Sequence, residues 1–408
     1  MLPISKSIWD YEPFVGKKAI EELIVLAEKI KGKSIQHVNS TYIGGGVAEI
    51  LNRLVPLLKN LGIESRWDVI KGDESFFKAT KSFHNALHGG QTEINKEMFE
   101  SYLKWNQVNA SEMNFDSDIV FIHDPQPAAL IKSRKKGKWI WRCHVDLSNP
   151  DPKVWGFLKE YIKAYDASIF STPSFAREDL QIRQFLVPPS IDPLSDKNIE
   201  LPEEKVFEVL EKYDISPEKP IITQISRFDQ LKDPTGVIDA YKMVKKYIDC
   251  QLVLAGGLAQ DDPEGVEVYQ ECKRKAEGDE DIHILLLPPA DLIINALQRA
   301  STVVLQKSKK EGFGLTVAEA LWKKKPVVAS ATGGIPLQVK NGLTGFLVRS
   351  IEGAAYKIRY LFRNPEFARK LGENGREHVR HNFLLTRHLR DYLLIILAIE
   401  QESNIINL

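Results

Sequence analysis

The sequence predicts an α/β protein of two Rossmann-like domains facing a cleft, and three observations predict it. Short apolar, β-branched runs of strand length alternate with amphipathic stretches of helix length, in two successive sets. Several of those runs end in glycine or polar residues, where an open parallel sheet presents its ligand-binding groups. The chain has 408 residues, too many for one ordinary core, and Pro188-Pro189-Ser190-Ile191-Asp192-Pro193 interrupts it with residues that forbid helix. The expected division is a first domain over residues 1–195, a second over 196–380 and a terminal helical stretch over 381–408.

In the first set, apolar Ile20, Ile24, Leu26, Ala27 and Ile30 mark a helix from Gly16 to Lys31. Ser34 to Asn39 follows as a strand, Ser40 to Gly46 as a glycine-rich loop and Val47 to Asn60 as a helix, the opening of a nucleotide-binding fold. Gly44, Gly45 and Gly46 would let a ligand approach the backbone, although the same composition suits a loop without a ligand. Residues 63–70 read as a second strand, with helical stretches at Phe76 to Leu87 and Glu93 to Asn106. His84 and His88 share a helix face but have no third ligand nearby, so a ligand-contacting or solvated face is expected rather than a metal site.

Asp118 to Asp124 is a buried strand delivering His123 and Asp124 to its end. The Asp116-Ser117-Asp118 triplet precedes that strand and reads as polar strand entry rather than as a metal–nucleotide motif. Lys138 to His144 repeats the arrangement, bringing Arg142, His144 and Asp146 to a sheet edge; a histidine held by an aspartate for structure alone is the alternative. A helix from Lys153 to Tyr165 and a strand from Ala167 to Ser171 close this set.

The second set opens with charged, helical residues 197–219 and the strand Ile221 to Ile225. The turn after that strand holds Arg227 and Lys232, a planar fork of donors and a compact charge that together suit two phosphates, with surface exposure as the alternative. Further strands are expected at Cys250 to Gly257, Asp281 to Leu287, Thr302 to Gln306 and Lys325 to Ala329. Between the last two lies Lys310 to Glu319, where Gly312 and Gly314 mark a strand-to-helix turn. The amides of Gly314, Leu315 and Thr316 and the positive end of the helix dipole then face an anion such as a diphosphate. Glu311 and Glu319 frame this turn, about 10 Å apart on a regular helix, a separation that spans a sugar and a ribose. Two ordinary acidic residues near a helix start are the alternative. Residues 352–408 read as helical, broken at Leu371-Gly372 and Asn374-Gly375, with an amphipathic tail from Arg387 to Ile399.

Composition excludes several function classes. Acidic and basic residues number 55 each, which removes any bulk charge argument for nucleic acid or an anionic membrane. Three cysteines without metal-ligand spacing favour a reducing compartment. Charged residues throughout the first thirty positions and the lack of a bilayer-length apolar run predict neither signal peptide nor membrane helix, hence a cytoplasmic protein. No G-x-G-x-x-G pattern with a downstream acid is present, so a nicotinamide oxidoreductase is not expected.

The Glu311-x7-Glu319 spacing with Gly312-Phe313-Gly314 inside it, together with Arg227 and Lys232, resembles the retaining, nucleotide-sugar-dependent glycosyltransferases of family 4, whose fold is GT-B. The resemblance implies that Glu311 binds donor-sugar hydroxyls, Gly312, Phe313, Gly314 and Leu315 meet sugar and phosphate, and Glu319 binds ribose. It implies the phosphate role for Arg227 and Lys232, a place at the donor for Gly45 and Gly46, and contact of His144 with the donor hexose and Asp146 with the acceptor. Asp124, His84 and Arg142 are further acceptor-side candidates. The wording His37-Val38-Asn39-Ser40-Thr41-Tyr42-Ile43, Ser82-Phe83-His84-Asn85-Ala86-Leu87, His123-Asp124-Pro125-Gln126-Pro127 and Trp141-Arg142-Cys143-His144-Val145-Asp146 resembles the branch of trehalose glycosyltransferring synthases, with trehalose phosphorylases as nearest rival.

That branch implies a nucleoside diphosphate glucose donor, glucose or trehalose as the other sugar, no metal and no other cofactor. A non-catalytic sugar-nucleotide-binding protein and a sugar-nucleotide epimerase are the rivals of other classes. One departure stands out: where many members carry Glu after Gly-Gly-x-Pro, this chain has Leu337 and then Gln338. The resemblance also implies that the terminal helix braces the first domain; its apolar face would otherwise serve a homodimer.

Overall fold

A computed structural model describes residues 6–401 apart from 44, 91, 258–262 and 289, so Gly44 of the glycine-rich loop lies outside the described residues. The chain divides into two compact units, one holding the residues up to Ser190 together with those from Leu385 onward, the other Ile191–Leu384.

The first unit is a six-stranded parallel sheet of β1 (Ser34–Asn39), β2 (Glu64–Val69), β3 (Ile119–His123), β4 (Lys138–Arg142), β5 (Ala167–Phe170) and β6 (Arg183–Leu186), in the order β2-β1-β3-β4-β5-β6. β3 is buried along its whole length and β4 along all but its first residue, as continuous apolar strands covered on both faces must be. Phe76, Phe83, Tyr102, Trp139, Trp141 and Trp155 fill one core. Asp73 and Asp151 cap the helices Glu74–Leu87 and Pro152–Ile162 by accepting from amides of their first turns. The helix Leu385–Glu400 packs in this unit, where Arg390 Nε donates to Glu22 Oε1 at 2.7 Å and the Tyr392 ring stacks on Phe121 at 4.8 Å between centroids.

The second unit repeats the plan with β7 (Ile221–Ile225), β8 (Gln251–Gly256), β9 (Ile282–Leu286), β10 (Val303–Gln306), β11 (Val327–Ser330) and β12 (Phe346–Val348), in the order β12-β11-β10-β7-β8-β9. Ile222, Tyr241, Leu254, Leu305 and Ile358 belong to its core. The reversal of strand order beside β7 and β10 puts the ends of these two strands at the switch point of the sheet, where open α/β sheets hold ligands.

Four expectations are corrected. Gly45 begins the helix Gly45–Asn60 with φ +78° and does not end the preceding loop. Residues 197–219 contain helix only over Glu203–Lys212. β6 and β12 were not expected, since Arg183-Gln184-Phe185-Leu186 is a partly exposed edge strand without alternation and Phe346–Val348 is only three residues long. The glycines near residue 372 do not break the run, because Pro365–Asn382 is one helix. They permit close approach instead: a Cβ on Gly372 would lie 1.9 Å from the Lys324 carbonyl oxygen, and one on Gly375 2.7 Å from Leu321 Cδ2.

Candidate active site

In the second unit, the turns after β7 and β10 are tied together by the Lys309 amide, which donates to the Leu231 carbonyl at 2.7 Å. Asp229 caps the 3-10 turn Gln230–Lys232 by accepting from the Leu231 amide, and this aims Lys232 across to the other loop. Lys232 Nζ reaches Glu311 Oε2 at 2.7 Å, and Ser308 Oγ donates to the same oxygen at 3.1 Å. Arg227 is 58% exposed along its side chain and its Nη2 lies 3.4 Å from Asp229 Oδ2, so most of its donors face outward. Lys232 and Glu311 thus meet, whereas Arg227 pairs with Asp229.

Gly314 adopts the left-handed conformation at φ +83° and opens the helix Leu315–Trp322 without any side-chain cap. A bare helix start of this kind leaves its first amides for a ligand. The loop is held from behind. Gly334 N donates to Gly312 O at 3.0 Å, and a Cβ on Gly333, at φ +53°, would sit 1.6 Å from the Glu311 carbonyl oxygen. Gln338, fully buried, donates its carboxamide to the carbonyls of Phe313 and Gly314. Phe313 is buried and packs edge-on against Phe383 at 5.4 Å. Glu319, 1% exposed, receives Gln298 Nε2 at 3.4 Å and lies 3.9 Å from Lys197 Nζ.

In the first unit, a relay of imidazoles runs from within β1 through the end of β3 to just past β4. His144 Nε2 is 3.2 Å from His123 Nδ1, and His123 Nε2 is 3.0 Å from His37 Nδ1, with the His37 ring stacked on Phe121. Burial pulls the His37 pKa down to about 3 and holds His123 and His144 well below the usual histidine value, so all three are neutral at ordinary pH. Asp124, in the left-handed conformation at φ +66°, accepts the His144 amide at 2.7 Å; burial pushes its carboxyl up to about 6 against that hydrogen bond. Arg142 is fully buried and donates Nη2 to the Val187 carbonyl at 2.7 Å. Asp146 is buried and accepts the Ser148 amide at 2.8 Å.

His84, on the helix Glu74–Leu87, meets the ring of His88 edge-on at 4.5 Å. Gly45 and Gly46 lie in the first turn of their helix, and a Cβ on Gly45 would meet nothing within 4 Å, so only its positive φ demands glycine. Among the described residues no three His, Cys, Asp or Glu side chains gather as a metal-ligand set, and no helix is long and apolar enough to cross a membrane. Sequence reading missed His37, Ser308, Gln298, Lys323 and Gln338. The departure at Leu337-Gln338 was the one signal pointing to Gln338, and nothing local marks the others.

Comparison with known proteins gives the family and the fold. Residues 37–177 match the family description "Trehalose synthase, N-terminal domain" and residues 206–378 match "Glycosyl transferases group 1". A trehalose synthase of Pyrococcus horikoshii is 47% identical over 96% of this chain and 96% of its own. A trehalose phosphorylase of Pleurotus pulmonarius is 28% identical over 91% of this chain but 58% of its own length. A solved trehalose-6-phosphate synthase superposes with a TM-score of 0.74 at 14% identity, covering 91% of this chain and 99% of that one, which shows a shared GT-B fold.

Proposed function

This chain belongs to the trehalose synthase family of glycosyltransferases, and we propose that it transfers glucose from a nucleoside diphosphate glucose to free glucose, with retention, to make trehalose. The observation that carries the reading is the contact of Lys232 with Glu311 beside an uncapped helix start, which joins a cation from one loop to an acceptor of hydroxyl protons and a set of helix-start amides from another. As the bond from the sugar C1 to the phosphate oxygen breaks, negative charge gathers on the departing diphosphate and positive charge on the sugar ring. Lys232, Arg227 and the amides of Gly314, Leu315 and Thr316 take up the first, and because that charge is larger in the transition state they accelerate the reaction rather than merely tighten binding.

Glu311 accepts from the donor hexose hydroxyls beside Gly312 and Phe313, and Glu319 accepts from the ribose. The acceptor hydroxyl attacks C1 on the face the diphosphate leaves, and its proton passes to a leaving phosphate oxygen. No separate acid is needed, because a nucleoside diphosphate already leaves well, and the cations replace a metal. From the first unit, His144 meets the hexose as a neutral donor or acceptor, fixed by the relay through His123 and His37, while Asp146, Asp124, Arg142 and His84 serve the acceptor and Gly45 and Gly46 serve the donor.

The test is a product assay with ADP-, UDP- and GDP-glucose plus free glucose, and separately with phosphate plus trehalose, each with and without EDTA. Trehalose is expected from the first arm, with activity kept in chelator. Glucose 1-phosphate from the second arm alone would make the chain a phosphorylase, and loss of activity in EDTA restored by Mg²⁺ would overturn the metal-free scheme.

A further inference from the structure

Lys323, the residue after the helix that carries Glu319, is only 5% exposed, so its ammonium is inside the second unit. Its three N–H groups meet three acceptors: Gln298 Oε1 at 2.8 Å, Asn198 Oδ1 at 3.0 Å and the Glu319 carbonyl at 3.2 Å. Both carboxamides are oriented from their far sides. Asn198 donates Nδ2 to the Asp192 carbonyl at 2.9 Å and to Ser195 Oγ at 3.1 Å, leaving its oxygen for the lysine. Gln298 has Nε2 3.3 Å from the Thr316 carbonyl and 3.4 Å from Glu319 Oε2. An ammonium can only donate, so it accepts no other orientation of Gln298.

We propose that Lys323 is a positioning residue for the donor site: by holding the Gln298 oxygen it forces Gln298 Nε2 onto the Glu319 carboxylate and the Thr316 carbonyl, fixing the carboxylate that receives the nucleoside ribose. This rests on the assignment of Glu319 to ribose. Were the carboxamide to turn over, its oxygen would face a carboxylate and a carbonyl in a dry interior, where such opposition is costly. Thr316 belongs to the helix start at the diphosphate, so Gln298 couples the two ends of the nucleotide site.

The lysine also makes this arrangement sensitive to pH. Burial pulls its pKa down to about 7; Glu319 and Glu200 oppose that fall, and Arg299 and Lys197 add to it. Below about pH 7 the ammonium holds three oxygens. Above it the amine has a lone pair against one of them, which favours turnover of Gln298, so donor binding weakens as pH rises through this value.

The experiment measures donor KM and kcat with ADP- or UDP-glucose, whichever is used better, at about pH 6.5 and about pH 8.5. The doubly esterified diphosphate has no proton to lose in that range. Lys323→Met should raise donor KM about tenfold, the worth of one hydrogen bond, with kcat within about twofold. Gln298→Met should do the same, and the double variant should be no worse than either, since both break one chain of contacts. Wild-type KM should rise several-fold between the two pH values, and the rise should vanish in Lys323→Met. Equal losses in kcat and KM, additive single effects, or a pH rise that persists in Lys323→Met would overturn the proposal.

Glu319→Gln separates the two readings. If it leaves donor KM unchanged, the ribose assignment falls; if it raises KM while Lys323→Met does not, only the positioning role falls. Should Lys323→Met fail to fold, a wild-type donor KM that is flat across the same pH range overturns the proposal by itself.

Discussion

The two units share one plan, six parallel strands with their working residues at the strand ends, yet they present opposite chemistries there. Within β1, at the end of β3 and just past β4, His37, His123 and His144 touch one another as neutral rings, since burial removes the proton that would charge them. In the turns after β7 and β10, Lys232 and Glu311 meet as an ion pair, the lysine side chain 19% exposed and the glutamate side chain 9%. A neutral relay can orient a sugar hydroxyl without paying for a desolvated ion, whereas only fixed charge can take up the charge of a departing diphosphate. The topology is the same in both units, so the difference lies in which side chains the strand ends carry.

The contrast breaks most readily at Lys232. Lys232→Ala should cut kcat/KM by ~10²–10³ in a steady-state assay, because it deletes a donor aimed at developing phosphate charge. Turnover within about tenfold of wild type would leave the second unit's charge without a catalytic task. Glu311→Gln should lower kcat about a hundredfold and blunt discrimination among donor sugars, since a reacting ring misplaced by ~1 Å loses that much; a pure KM effect would point to binding alone.

The first unit offers a sharper test of neutrality. His123→Phe removes the partner of His144 and should reduce kcat about tenfold, through loss of orientation, while leaving the shape of the pH–kcat profile as it was. A step near neutrality present in wild type and lost in the variant would mean that the relay carries charge.

The smallest effect concerns stability at Asp124. The folded protein keeps this proton up to about pH 6, whereas an unfolded aspartate releases it near pH 4. Its contribution to stability is therefore whole below about pH 4 and is lost as pH rises through about 6. Asp124→Asn, which keeps an acceptor for the His144 amide, should raise the melting temperature by a few degrees at about pH 8 and leave it unchanged near pH 4; calorimetry at the two pH values checks both halves.

Much of this contrast was legible in the sequence, and the illegible part has a physical pattern. Arg227, Lys232, Glu311 and the glycines stand within a few residues of strand ends, so local spacing exposed them. The second unit's supports come from far along the chain: Gln298 reaches Glu319 across 21 residues and Gln338 reaches Phe313 across 25. Such pairings leave no periodic trace. The same holds for Gly372, which reads as a helix breaker alone and as a contact point only once the Lys324 carbonyl beside it is known. Edge strands such as β6 lack the alternation that would have announced them.

The central claim, that Lys232 and Glu319 hold the nucleotide while Glu311 serves the transferred sugar, is tested most directly by calorimetric titration of ADP, UDP and GDP into wild type, Lys232→Ala, Glu319→Gln and Glu311→Gln. The account predicts weaker binding of the preferred nucleotide by about tenfold in the first two variants, each of which loses one hydrogen-bonding partner of the ligand. It predicts no weakening in Glu311→Gln, which frees Lys232 from its ion pair. Weakening in Glu311→Gln with normal binding in Glu319→Gln would contradict it, and would mean that the two carboxylates have exchanged roles.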